Sequence, residues 1–352
     1  MLVGLKMTNL TTTAQSLKKI APFLIFGLIV FILIGAIIYR LTNKPKATPP
    51  SAVNPPEIIQ NPSQEQPRSF DFSNIQVPEF PKKLPVYAVI SYNVTDAAAK
   101  TLATTLGFSG EPTSINENTL DGKEYIWNQS DSILTVSQTS LQYRNTQYLG
   151  GPLPTAGGLP LDELQERATS YAKKITVLGQ DLEIDPQKTK YWVISENNRV
   201  RTDSFENTQT VTFSYQQKLE GLPIVSNDPT ASNLMVRVKR DGEVIHLFSR
   251  FFDNFSQESS YALKSKEEAI EEIKNGKGRV VLTQIVDERN LTLDLYNNPI
   301  NAESAFITNI SLAYFLPNDI KDTVQPVFVF EGSFKTNKNE DGKVVIYLPA
   351  IR

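Results

Sequence analysis

The chain has 352 residues, of which 40% are hydrophobic and 21% charged, a balance suited to globular domains with a buried core. Thirty-five basic residues against 38 acidic ones leave a net charge of −3, which provides no electrostatic footprint for a nucleic-acid backbone. With no Cys and a single His, His246, the composition excludes disulfides, thiolate metal sites, cysteine nucleophiles and any chemistry that needs two imidazoles.

The first predicted element is Ile20–Tyr39, IAPFLIFGLIVFILIGAIIY, twenty residues without a charge. As a helix it would extend roughly 30 Å, the thickness of a bilayer's hydrocarbon core. Lys18 and Lys19 flank one end and Arg40 the other, and no small-residue cleavage site follows. The expectation is an uncleaved transmembrane helix in contact with membrane lipid. Lys6, Lys18 and Lys19 before it balance Arg40, Lys44 and Lys46 after it, so the positive-inside rule gives only a slight preference for a cytoplasmic N-terminus. Residues 1–19 then form a cytoplasmic tail, and the rest is extracytoplasmic at the cell membrane. Gly27 and Gly35 are eight apart, so the run contains no GxxxG pairing motif.

Residues 40–85 read as a stalk. Ten of the chain's 22 prolines fall between 44 and 85, and proline lacks the amide donor that a helix interior or central strand requires. Phe70, Phe72, Ile75, Val77 and Phe80 near its end are candidates to pin the stalk against the folded part.

From Val86 onward the apolar pattern alternates. Residues 86–149 predict a strand (Val86–Tyr92), a helix capped by Asp96 and stopped by Gly107, and then three strands. GGPLPTAGGLP, Gly150–Pro160, punctuates the chain as a linker. Residues 161–255 predict a helix from Leu161 to Leu178, stopped by Gly179, followed by the strands TKYWVIS, TVTFSYQQKL, NLMVRVKR and EVIHLFSRFF. Asp241-Gly242 predicts a two-residue type I′ hairpin that sets Val238 against Ile245, Val236 against Leu247 and Arg237 against His246. Residues 256–352 predict a helix opened by a Ser265/Glu268 capping box and ended at Asn275-Gly276, then three strands.

Two stretches carry a family likeness. TFSYQQKLEGLPIV followed by NLMVRVKRDGEVIHLFSRF resembles the propeptide-type PepSY pattern, in which a strand ends near a Gly-Leu-Pro-Ile step and a hairpin turns at Asp-Gly. SKEEAIEEI, then SLAYFLPNDIKDTVQPVFVFEGSF and VVIYLPAI, resembles a second such unit. With one N-terminal span, the order over residues 161–352 is similar to the YycH/YycI membrane-anchored regulators of a cell-wall sensor kinase. The expected fold is therefore α+β: tandem PepSY-like units, each a helix packed on antiparallel sheet, at 161–255 and 256–352, with a smaller α+β unit at 86–149, all behind one N-terminal transmembrane helix.

Signatures of chemistry are sparse. His246 alone cannot hold zinc in an H-E-x-x-H helix, and no G-x-S-x-G elbow accompanies it. Glu267, Glu268, Glu271 and Glu272 sit near a helix start, where they complement its dipole. NKNEDGK, Asn337–Lys343, reads as a hairpin loop and not a calcium loop. Trp127, Tyr191, Trp192 and Phe213 form either a sheet core or an exposed platform. Asn9, Asn93, Asn128, Asn254, Asn290 and Asn309 lie in glycosylation sequons, which matter only in a host that glycosylates exported proteins.

No catalytic, cofactor-binding or metal-binding residue and no cofactor is assigned. The reading is a membrane-anchored extracytoplasmic interaction or regulatory module, not an enzyme. It touches a protein or peptide partner, not nucleic acid, through sheet edges at Thr189–Ser195 and Gly342–Ile351. An inhibitor or chaperone of a separate peptidase, as PepSY units imply, and an envelope hydrolase with a carboxylate pair are the alternatives.

Overall fold

The computed structural model describes residues 54–59, 67–75, 77–90, 94–119, 122–145, 158–175, 183–195, 198–202, 204–250, 255–285, 302–316 and 323–352. In chain order the elements begin with β1 (Ser69–Asp71), β2 (Lys83–Val89), α1 (Asp96–Thr105), β3 (Ser114–Thr119), β4 (Gly122–Gln129), β5 (Ser132–Val136) and β6 (Ser140–Asn145). Next come α2 (Leu161–Lys173), β7 (Glu183–Ile184), β8 (Lys190–Ser195), β9 (Asn198–Thr202), β10 (Thr210–Gln216), β11 (Lys218–Leu219), β12 (Leu222–Val225), β13 (Leu234–Lys239) and β14 (Val244–Arg250). The chain closes with β15 (Phe255–Ala262), α3 (Lys266–Lys274), β16 (Arg279–Ile285), β17 (Ala302–Phe315), β18 (Thr323–Thr336) and β19 (Asp341–Pro349).

The first sheet has ten strands, in the order β3-β4-β5-β6-β14-β13-β10-β8-β9, with β7 also on β10. All its pairings are antiparallel. One face is apolar because alternate residues point the same way. Tyr125, Trp127, Leu134, Val211, Phe213, Val236 and Leu247 meet Ala99 and Leu102 of α1 and Leu164, Ala168 and Ala172 of α2 in a single core. Helix α1 starts one residue earlier than the sequence implies, since Thr95, and not Asp96, is the cap that accepts from the Ala98 amide.

The second sheet has nine strands, ordered β11-β12-β17-β18-β19-β16, with β1 on β17 and β2 bridging β18 and β15. Strand β18 is buried continuously from Val324 to Phe330, which requires cover on both faces. Phe328 and Phe330 face one cluster with Ala269 and Ile273 of α3. Val327 and Val329 face another that includes Ile58. Phe70, Phe72, Ile75, Val77 and Phe80 pack on the α3 side as the sequence suggests, and Phe72 and Phe80 meet Phe330 and Phe328 edge-on. The proline-rich stretch therefore joins the fold over its second half. Pro85 is accommodated within β2 opposite Ser260, beside a bulge between Gln257 and Ser260, where the ladder tolerates a missing donor.

This architecture corrects the expected α+β fold of tandem PepSY-like units. The described residues hold 19 strands and three α-helices, and the strands after α1 do not close a sheet of their own. β6 pairs with β14 through His246↔Arg144 and Ser249↔Leu141, which fuses the segments before and after Gly150–Pro160 into one sheet. β1, β2 and β12 likewise enter the sheet built by β16–β19. Apolar period specifies which face of a strand is buried and leaves its partner open, so neither a PepSY-like nor a YycH/YycI-like arrangement follows from it. No helix among the described residues is long and apolar enough to cross a membrane, so the expected transmembrane helix finds no support among them. The run expected to form one, residues 20–39, lies outside the described residues; helix α2 ends at Lys173, capped by Lys174, short of the Leu178 end and Gly179 stop expected from sequence.

The Asp241-Gly242 turn also differs in detail. Only Gly242 has positive φ (91°), and the Gly242 amide donates to Lys239 O at 2.9 Å. This is a three-residue loop with a glycine bulge instead of a type I′ turn. Val236↔Leu247 and Arg237↔His246 pair as expected, while Val238 meets Val244 instead of Ile245.

At α3 the capping box forms in full: Ser265 Oγ accepts from the Glu268 amide at 3.2 Å, and Glu268 Oε2 accepts from the Ser265 amide at 2.6 Å. The Ser265 backbone donor, then Arg352 at 2.8 Å, hold the Glu268 carboxyl below its ordinary range. Ser265→Ala is expected to lower stability by about 1 kcal/mol in urea unfolding. A carboxylate with a depressed folded-state pKa stabilises the fold above the unfolded carboxylate range, about pH 4. That contribution disappears as pH falls through the lower folded value. Glu268→Gln should therefore flatten the acid limb of a stability–pH profile and lower the limb above pH 7 by a constant offset without changing its slope.

Candidate functional site

The face of the first sheet opposite its core is polar, and its residues form rows because antiparallel pairing sets them directly opposite one another. One row runs Lys190–Thr212–Arg237–His246–Arg144 across β8, β10, β13, β14 and β6. The adjacent row runs Ser214–Met235–Phe248–Gln142–Thr135 across β10, β13, β14, β6 and β5. On the other side Trp192, Thr210 and Lys239 align on β8, β10 and β13. Lys190, Trp192, Met235, Arg237, His246, Phe248 and Gln142 are half-buried, and Arg144 is exposed.

Thr212 organises the centre. Its Oγ1, on a residue only 3% exposed, accepts from Trp192 Nε1 at 3.0 Å and from Arg237 Nε at 2.9 Å. The two donors converge on one hydroxyl, which places the guanidinium 5.6 Å from the Trp192 ring centroid, within cation–π range. Gln142 Nε2 lies 3.3 Å from His246 Nε2. The row thus carries Lys190, Arg237 and Arg144 and no carboxylate. In the neighbouring row, the Lys239 ammonium is paired with Asp241 at 3.0 Å and Glu243 at 2.6 Å, and the latter contact leads the upward shift of the Lys239 pKa. Beside the row, burial pushes the Lys188 pKa down, and its Nζ donates to Ala231 O at 3.0 Å.

Like charges directly opposite on adjacent strands oppose folding. Along this row Lys190, Arg237 and Arg144 are spaced by Thr212 and His246, so no two of the cations stand directly opposite each other.

The other sequence-derived candidates separate. Trp127 and Phe213 are each 1% exposed and belong to the core, and Tyr191 packs against that core with Phe205. Only Trp192 of the four aromatics reaches the polar face. Glu272 bridges Lys264 and Lys277, Glu271 accepts from Asn275 and Glu268 caps α3, so these carboxylates serve helix termini. Asn337–Lys343 joins β18 to β19 as a hairpin, with Asn339 at φ 62°. Asn128 and Asn309 are exposed on strands, while Asn9, Asn93, Asn254 and Asn290 lie outside the described residues. Among the described residues no group of three or more His, Asp or Glu side chains is placed to hold a metal ion.

The segments expected to be sheet edges are interior. β8 lies between β10 and β9, and β19 lies between β18 and β16. The first sheet ends at β3 and β9. Sequence reasoning paired Arg237 with His246, yet it could not reach Lys190 or Arg144, because their strands join from about a hundred positions away in one case and across an unmarked register in the other.

No family model matches the chain, and no curated protein matches it. Among solved structures, an uncharacterized protein from Eubacterium rectale matches over 83% of this chain and 90% of its own, at 12% identity and a TM-score of 0.47. A likeness at that level carries no argument about fold or function.

Proposed function

We propose that this protein is a binding module without catalytic activity, held at a membrane by residues 20–39 with its folded part outside, and that its contact surface is the Lys190–Arg237–Arg144 row of the first sheet. The observation that carries the reading is the row of three cations, Lys190, Arg237 and Arg144, with no carboxylate among its members, flanked by half-buried Trp192, Met235 and Phe248. Trp, Met, Phe and Arg are the residue types enriched where proteins meet. The charge selects an acidic protein or peptide surface as partner. A nucleic acid is disfavoured by the net charge of −3. The tether rests on the twenty uncharged residues of Ile20–Tyr39 and the length they would span.

A photo-crosslinking amino acid at position 235, in full-length protein in its native membrane, tests the reading. An identical probe at Ser170, exposed on α2, is the control. The expected result is one protein adduct from position 235 that is absent from position 170 and is lost when Arg237→Glu and Arg144→Glu are combined. Equal adducts from both positions, or lipid adducts alone, would overturn it.

A further inference from the structure

The second sheet carries a different kind of surface. Asn54–Ile59, NPPEII, crosses it as an extended segment whose anchor is Ile58, 8% exposed among Val281, Phe315, Val327, Val345 and Tyr347, while neighbouring Ile59 is 49% exposed. The main chain is held at both ends by side chains from distant sequence. Gln325 Nε2, on a residue 4% exposed, donates to Asn54 O at 2.7 Å, and the Ile59 amide donates to Asn227 Oδ1 at 2.9 Å. Pro55 and Pro56 between them preset an extended backbone at little entropic cost.

An extended backbone gripped by side-chain amides, with one apolar anchor in a pocket, is the anatomy of a peptide-recognition site. A second observation points the same way. Tyr347 is fully buried in the pocket that takes Ile58, and neither its hydroxyl nor Asn227 Nδ2 has a hydrogen-bond partner among the described residues. Buried polar atoms of this kind are normally satisfied, so the groove has more hydrogen-bonding capacity than NPPEII uses.

We propose that this groove binds extended, proline-containing peptide segments with a branched aliphatic anchor, and that Asn54–Ile59 is a cis occupant which such a segment on a partner protein displaces. The site is independent of the basic row. A segment tethered in cis acts at an effective concentration on the order of millimolar, so it excludes weak competitors and yields to strong or abundant ones.

The absence of Cys makes the test direct. In the full-length chain, Ile58→Cys and Ile59→Cys are each reacted with a maleimide. Position 58 is expected to react at least ~10-fold more slowly than position 59, because its side chain must leave the pocket first. Millimolar synthetic NPPEII should speed reaction at position 58 several-fold, and the same peptide with Asp in place of its anchor Ile should not. Hydrogen exchange at the Ile59 amide of the unaltered protein is a second measurement that no substitution can compromise, and the competing peptide should accelerate it. Equal reaction rates at 58 and 59 would overturn the cis contact. Protection at 58 and at the Ile59 amide that ignores the peptide would overturn the exchangeable site.

Discussion

Trp127→Ala is expected to remove about 3–5 kcal/mol of stability, the range for emptying a fully buried indole from a core. Trp127 is 1% exposed, stacks on Tyr125 at 6.3 Å between centroids, and donates from Nε1 to Gly110 O at 3.3 Å. The indole therefore joins β4 to the loop that leaves α1, and truncation loses dispersion contacts and leaves the Gly110 carbonyl without that donor. Because a domain's whole stability is of order 5–15 kcal/mol, the variant should unfold at a much lower urea concentration. Circular dichroism is the appropriate readout, since Trp127 is one of only two tryptophans. A loss below ~1.5 kcal/mol would mean that the β3–β6 segment is not part of the cooperative core.

Gly332→Ala is expected to be nearly as damaging although it adds a single methyl. A Cβ at Gly332 would lie 2.3 Å from the Phe306 carbonyl oxygen and 3.1 Å from Ile307 Cα. The obstacle is backbone, at a bulge between Ile307 and Asn309 where Gly332 opposes Ile307. Unlike the tip of a flexible side chain, it cannot swing aside. Relief requires the two 14-residue strands β17 and β18 to separate locally, at a cost of about 3 kcal/mol or more, the upper end for overpacking. Gly342→Ala is the useful comparison. Its Cβ would meet the Phe334 ring at 2.1 Å, and that ring is itself 1% exposed in the core, so a comparable loss is expected in a urea series.

What the sequence makes legible follows the range of the interactions. The α3 capping box spans three residues and forms as read. The Asp241-Gly242 hairpin is also local, but the same dipeptide serves a type I′ turn or a glycine bulge, so the register was right at Arg237↔His246 and shifted at Val238. β3, SINENT, has no apolar alternation because it is an exposed edge, and nothing in its composition announces a strand. The fold class failed where pairing is remote: β6 with β14 and β12 with β17 are choices of partner that period-two patterning cannot encode. The basic row fails to show in sequence for the same reason. Its cations are spread over residues 144 to 237 and become neighbours only when the sheet closes.

Strand β1 illustrates what such remoteness does in time. Ser69 donates to Glu303 O, 234 residues further along the chain, and Asn54 is held by Gln325, 271 residues away. At ribosomal speeds of ~5–20 residues per second, β1 emerges roughly 10–50 s before β17 exists to receive it. During that interval Phe70, Phe72 and Phe80 have no face to cover. The nascent chain must keep these aromatics from other surfaces until its last quarter is synthesised, and holdase chaperones would be expected to act on the protein during that wait.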